Sequence, residues 1–166
     1  MYKYYAGIGA RNTPFDILIR MDKIAKVLYL NKYILRSGGA IGADSYFEHG
    51  ADFQHKIFDV NLRINNYKEI FRPEHVGDEA LRMASNFHFA WDKCNDYVKK
   101  LHGRNVMIIL GEDLKTPCKF VICYTKNGKD IGGTGLGMRI AKHYNIPIYN
   151  LYYNEAYKRL NDIFLN

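Results

Sequence analysis

Tyr33-Ile34-Leu35-Arg36-Ser37-Gly38-Gly39-Ala40-Ile41-Gly42-Ala43-Asp44 is the stretch that decides the fold of this chain. A short apolar run ends in a cluster of glycines, and a helix-forming segment opens near Ala43. Strand, tight glycine turn and helix in that order make the repeating unit of a parallel sheet. The pattern occurs twice more. Residues 3–7 read as a strand, followed by Gly7-Ile8-Gly9-Ala10-Arg11-Asn12 and a helix over 15–31. That helix carries Ile17, Met21, Ile24 and Leu28 on one stripe, and Asn12-Thr13-Pro14 is a suitable entry to it. Phe120-Val121-Ile122-Cys123-Tyr124 is a continuous apolar strand of the kind buried at a sheet centre. It leads through Gly128-Lys129-Asp130-Ile131-Gly132-Gly133-Thr134-Gly135-Leu136-Gly137 into a helix over 134–145.

Outward from these units, the helix at Ala43 is expected to run into the early sixties. Lys68-Glu69-Ile70-Phe71 reads as a third strand ended by Pro73, and a short helix is expected near 77–87. A longer helix over 91–109 follows from Trp91, Cys94, Val98, Leu101, Asn105 and Ile108, which repeat at helical spacing. Asn105 sits on that apolar stripe as a structural bracket or a ligand contact, because a buried amide must find partners. A strand over 148–151 and a helix over 154–164 complete the reading. The expected fold is α/β: one Rossmann-like domain over residues 1–166, with a five-stranded parallel sheet in the order 3-2-1-4-5 and helices on both faces.

The 166 residues suffice for one domain with a core, and the composition, 48% hydrophobic and 25% charged, is globular. No apolar run reaches the length of a membrane span, and no signal peptide follows Met1, so a cytoplasmic location is expected. Cys94, Cys118 and Cys123 are odd in number and lack CxxC spacing, which fits a reducing compartment and unreactive thiols. The six histidines show no HxxxH or HExxH spacing, His88 near Trp91 reads as structural, and no metal is expected. The net charge of +7 favours an anionic partner, a phosphorylated small molecule or nucleic acid.

In a parallel sheet the three glycine loops meet at one edge, where open α/β sheets bind ligands. Glycine there lets backbone N–H groups close on a phosphate at a helix N-terminus. The helices starting near Ala43 and Thr134 would present such ends. The candidate ligand-binding residues in the first two loops are Gly7, Gly9, Ala10, Arg11 and Asn12, then Ser37, Gly38, Gly39, Ala40 and Asp44. Glu48 lies one turn beyond Asp44. Arg104 and Asn105 form a polar break in an apolar helix, and Thr125 follows the fourth strand. Gly132, Gly133, Thr134, Gly135 and Arg139 complete the set. Arg11 would bond a phosphate, and Ser37 and Thr134 would donate hydroxyls. GxxxxGK[ST] is absent, which excludes a P-loop nucleotidase. Strand two ends in Arg36-Ser37 rather than an acidic residue, which argues against a standard NAD oxidoreductase.

Gly9-Ala10-Arg11 is similar to the Gly-Ser-Arg of DNA-processing protein A. Ser37-Gly38-Gly39-Ala40-Ile41-Gly42-Ala43-Asp44 is similar to that protein's Ser-Gly-x-Ala-x-Gly-x-Asp. From Tyr5 to about Leu151 the chain thus resembles the SLOG superfamily of Rossmann-like proteins. That superfamily also holds the YspA/YpsA-type proteins and the "lonely guy" phosphoribohydrolases, and small DprA-like proteins of bacteriophage genomes look most similar. The resemblance implies a nucleotide-type ligand, no further cofactor, and a homodimer, for which Tyr152, Tyr153 and Phe164 could supply apolar surface. The phosphoribohydrolases carry a glutamate in Pro-Gly-Gly-x-Gly-Thr-x-x-Glu where this chain has Arg139, so their acid/base group is missing. The implied function is non-catalytic binding of a nucleotide or ADP-ribose-like molecule, sequestering a defence signal in a phage setting. The alternatives are DprA-like binding of single-stranded DNA, which the charge and 14 tyrosines permit, and nucleotide N-glycosidase activity.

Overall fold

The computed structural model describes residues 3–52, 56–57, 69–70 and 76–164, with backbone pairing alone for 56–57 and 69–70. A single parallel sheet forms the middle of the molecule. Strand β1 (Lys3–Gly9) lies between β2 (Tyr33–Ser37) and β5 (Val121–Tyr124), and β6 (Ile148–Asn150) flanks β5. Two strands of two residues, β3 (Lys56–Ile57) and β4 (Glu69–Ile70), continue the sheet past β2. The full order is β4-β3-β2-β1-β5-β6.

The centre of the sheet is covered on both faces because its strands are apolar on both sides. Tyr5 and Ala6, adjacent on β1 and so pointing to opposite faces, are both fully buried. On one side Tyr5, Leu35 and Ile122 pack with Met21 and Leu28 of α1 (Phe15–Leu30) and Phe47 of α2 (Ala43–Gly50). Leu160 of α6 (Asn154–Phe164) joins that cluster. On the other side Ile8, Val121 and Cys123 pack with Ala80 and Ala84 of α3 (Asp78–Phe87) and Val106 and Ile109 of α4 (Asp96–Leu110). Leu136 and Ile140 of α5 (Gly132–His143) complete this second cluster. Each fully buried large apolar side chain contributes about 1.5–3 kcal/mol, so both layers are held by burial rather than by the few exposed ion pairs.

Three sequence expectations are corrected. The sheet does not have five strands: four strands of three or more residues form its body in the order β2-β1-β5-β6, and the two short strands extend one edge. Of the expected third strand, Glu69–Ile70 is strand at the outer edge; Lys68, Phe71 and Pro73 lie outside the described residues. The helix from Ala43 does not reach the sixties. It ends at Gly50, a Cβ on which would collide with the Asp22 carbonyl of α1, and Asp52 at φ 53° turns the chain away. Lys56–Ile57, expected in that helix, is strand. The helix expected from 91 starts at Asp96, because the Asn95 side chain accepts the Val98 N–H at 2.9 Å and caps it there. Trp91 belongs to a separate 3-10 turn, Trp91–Lys93, and Cys94 follows that turn.

No described helix is long and apolar enough to cross a membrane. Since all the strands are parallel, the chain leaves β1, β2 and β5 at one edge, toward helices on opposite faces. That edge is where a crevice opens.

Candidate functional site

A cavity of about 460 Å³ lies at this edge, between the β1 loop, the start of α2, α4 and the start of α5. Its walls bring together Gly9, Ala10 and Arg11 from the first loop and Ala40 and Asp44 from the second. Arg104 and Asn105 come from α4, and Gly132, Gly133 and Thr134 from α5. Ten of the expected site residues therefore share one hollow.

The glycines of the second loop permit close approach. Gly42 takes φ 97° and passes so near the first loop that a Cβ would stand 2.5 Å from the Arg11 carbonyl oxygen. A Cβ on Gly38 would stand 2.7 Å from the Arg104 guanidinium carbon. With no side chain there, Arg104 Nη1 donates to the Gly38 carbonyl at 2.8 Å and Nη2 donates to Asn105 Oδ1 at 3.2 Å. Asn105 Nδ2 in turn donates to the Gly133 carbonyl at 3.2 Å. This chain of bonds ties the second loop to the third through α4. Asn105 is thus both a bracket and part of the wall.

The start of α5 faces the cavity with Gly132, Gly133 and Thr134 in its first turn, and no side chain caps it. The first N–H groups of a helix have no partner within it and carry its partial positive charge. Arg11 is exposed at the rim. Asp44 is 5% exposed, and its Oδ2 accepts the Ala40 N–H at 3.2 Å. Burial pushes its carboxyl up from 3.8 to about 6, against the opposing pull of Arg104.

Nine expected residues lie elsewhere. Gly7 is buried against Phe47 and Leu35, and the Ser37 hydroxyl donates to the Gly7 carbonyl at 2.7 Å. Gly38 acts through Arg104, and Gly39, at φ 68°, forms the turn behind Ala40. Asn12 is exposed outside the hollow, and Glu48 is buried on α2. Thr125 is bracketed by Asn150, whose Nδ2 donates to its Oγ1 at 2.7 Å. Gly135 is pressed against the Asp130 backbone. Arg139 donates through Nε to the Phe87 carbonyl and through Nη1 to the Asp130 carbonyl, both at 2.8 Å, and covers the Phe89 ring. It fastens α5 to the end of α3, and its side chain is not part of the wall of the hollow.

Apart from His102, the remaining wall is apolar: Ile8, Val98, Leu101, Ile108 and Ile131. Val98, Leu101 and Ile108 lie on the stripe that carries Asn105, so the exception on that stripe marks a cavity wall. His102 also borders the hollow, and no spacing in the sequence singles it out. Burial first, then His88, Arg139 and Arg104, push its imidazole down to about 4, so it is neutral at pH 7. Cys118 and Cys123 are buried, and burial raises both thiols to about 12, consistent with unreactive sulfur.

Compared with protein-family models, with curated proteins and with solved structures, the chain matches none, and the site is read from its own geometry.

Proposed function

We propose that this protein binds a nucleotide or a nucleotide-derived molecule of the ADP-ribose type and holds it without turnover. The phosphate lies against the start of α5, within reach of Arg11. The base and sugar lie along Ile8, Val98, Leu101 and Ile108, and Asp44 and Arg104 offer an acceptor and donors for hydroxyls. The observation that carries this reading is the uncapped N-terminus of α5, opening on a hollow of about 460 Å³ with two arginines in its wall. A helix end supplies backbone donors and positive potential to an anion, and the volume falls within the range of about 300–1,000 Å³ typical of small-ligand sites. The Arg139 side chain, bound to two carbonyls, supports the absence of turnover at the position where the resemblance implies a glutamate.

Calorimetric titration of the full chain with AMP, ADP-ribose and oligo-dT tests this. Saturable binding of AMP or ADP-ribose with a shallow salt dependence supports it. Binding of oligo-dT alone, falling steeply with salt, replaces it with the DNA-binding reading. One observation favours a second reading, N-glycosidic hydrolysis: Asp44 is a carboxyl in the cavity wall with its proton held to about pH 6. Release of free base from a nucleoside monophosphate, lost in Asp44→Asn, would establish that reading instead.

A further inference from the structure

His88 caps the C-terminal end of α3, Cys94 follows the 3-10 turn, and His102 lies in the second turn of α4. Helix packing brings one ligand atom from each to within 4.8 Å of the others. Cys94 Sγ is 3.9 Å from both ring nitrogens of His88, and the two imidazole centroids are 4.4 Å apart. His102 is 7% exposed, and its Nδ1 is buried with no hydrogen-bond partner. A buried polar atom without a partner costs free energy and calls for an explanation such as a missing ion.

We propose that His88, Cys94 and His102 form a binding site for a borderline-soft divalent cation, Zn²⁺ above all, with three protein ligands and a fourth position open. One thiolate and two imidazoles are a zinc-type donor set, and three protein ligands leave a position for water or another ligand. Tetrahedral Zn²⁺ with bonds of about 2.0–2.3 Å sets its ligand atoms about 3.5 Å apart, so side chains now within 4.8 Å of one another must close by up to about 1.3 Å on binding. Packing accounts for Trp91 edge-on to His88, with ring centroids 6.2 Å apart. The Cys94 thiol also donates to the Ala90 carbonyl at 3.5 Å, but packing does not account for a second imidazole beside it whose buried nitrogen is orphaned. His88 Nδ1 accepts the Ala90 N–H at 3.2 Å, a long bond that coordination can replace. Because His102 belongs to both the cluster and the cavity wall, the cation would stand one side chain from the cavity. The inference does not depend on what the cavity binds.

The test is titration of the chelator-treated full chain with Co²⁺, followed by visible and near-ultraviolet absorption. The expected result is saturation at one equivalent, with a thiolate-to-cobalt charge-transfer band that Zn²⁺ abolishes. Cys94→Ser should remove that band, and His88→Ala should weaken binding by about tenfold or more. His102→Gln disturbs a buried position, so the decision rests on the two partly exposed variants. The other two cysteines are buried and should not contribute a band. No saturable spectrum, or a thiolate band retained in Cys94→Ser, overturns the proposal.

Discussion

Helices α2 and α5 both begin at the same edge of the sheet after a glycine turn, yet their N-termini differ. The start of α2 supplies its own negative group: Asp44 sits in its first turn, buried, with a carboxyl oxygen on the Ala40 N–H. The start of α5 has no acidic residue in its first turn and no side-chain cap. A carboxylate near a helix N-terminus complements the helix dipole, and its absence leaves that potential for something else. Neither helix has a side-chain cap, so similar glycine-rich wording in the sequence yields one helix start with an acidic residue in its first turn and one without.

The largest expected effect is at the start of α2. The folded protein holds the Asp44 proton to about pH 6, whereas 3.8 is its ordinary value. The stability from this raised value is complete below about pH 4 and is lost as pH rises through about 6. Asp44→Asn, neutral throughout, should match the parent near pH 4 and exceed it by up to about 3 kcal/mol at pH 8. Urea unfolding at both pH values measures this; a pH-independent difference would break the account of Asp44.

Making α5 resemble α2 comes next. Thr134→Asp places a carboxylate in the open first turn and should weaken ADP-ribose binding by about 100-fold, or about 2.7 kcal/mol. The same change should leave the fold intact or stabilise it by about 0.3–1 kcal/mol. Calorimetry and a thermal melt read the two effects, and unchanged affinity would move the anion away from α5. The smallest effect is at the joint between the two ends. Gly38→Ala puts a methyl 2.7 Å from the Arg104 guanidinium carbon and should displace that side chain from the Gly38 carbonyl. About tenfold weaker binding, with little change in stability, would sharpen the role of Arg104; full affinity would remove it.

Much of this architecture was legible in particular residues. Of the apolar run 120–124, Val121–Tyr124 is strand and buried through Cys123, and the stripe Ile17, Met21, Ile24 and Leu28 is a buried helix face. Gly9, Arg11, Gly133 and Thr134 meet at the cavity as parallel strands require. Arg139 shows what was not legible. Its place one turn into α5 is compatible with the cavity or with the far side, and only the Phe87 and Asp130 carbonyls reveal the second. The helix expected from Ala43 into the early sixties ends at Gly50. Gly50 instead serves the contact between α1 and α2, a tertiary demand that periodicity does not record.

By itself, the sequence determined the alternation of strand and helix, the glycine turns at the strand ends, and hence a parallel sheet whose glycine loops gather at one edge. These follow from side-chain period and backbone freedom, which act over a few residues. Only the tertiary structure decided which helix starts line the hollow, that Arg104 bridges two loops, and that His88, Cys94 and His102 meet. Those outcomes depend on distances between elements far apart in the chain, and packing of the two layers against the sheet sets such distances.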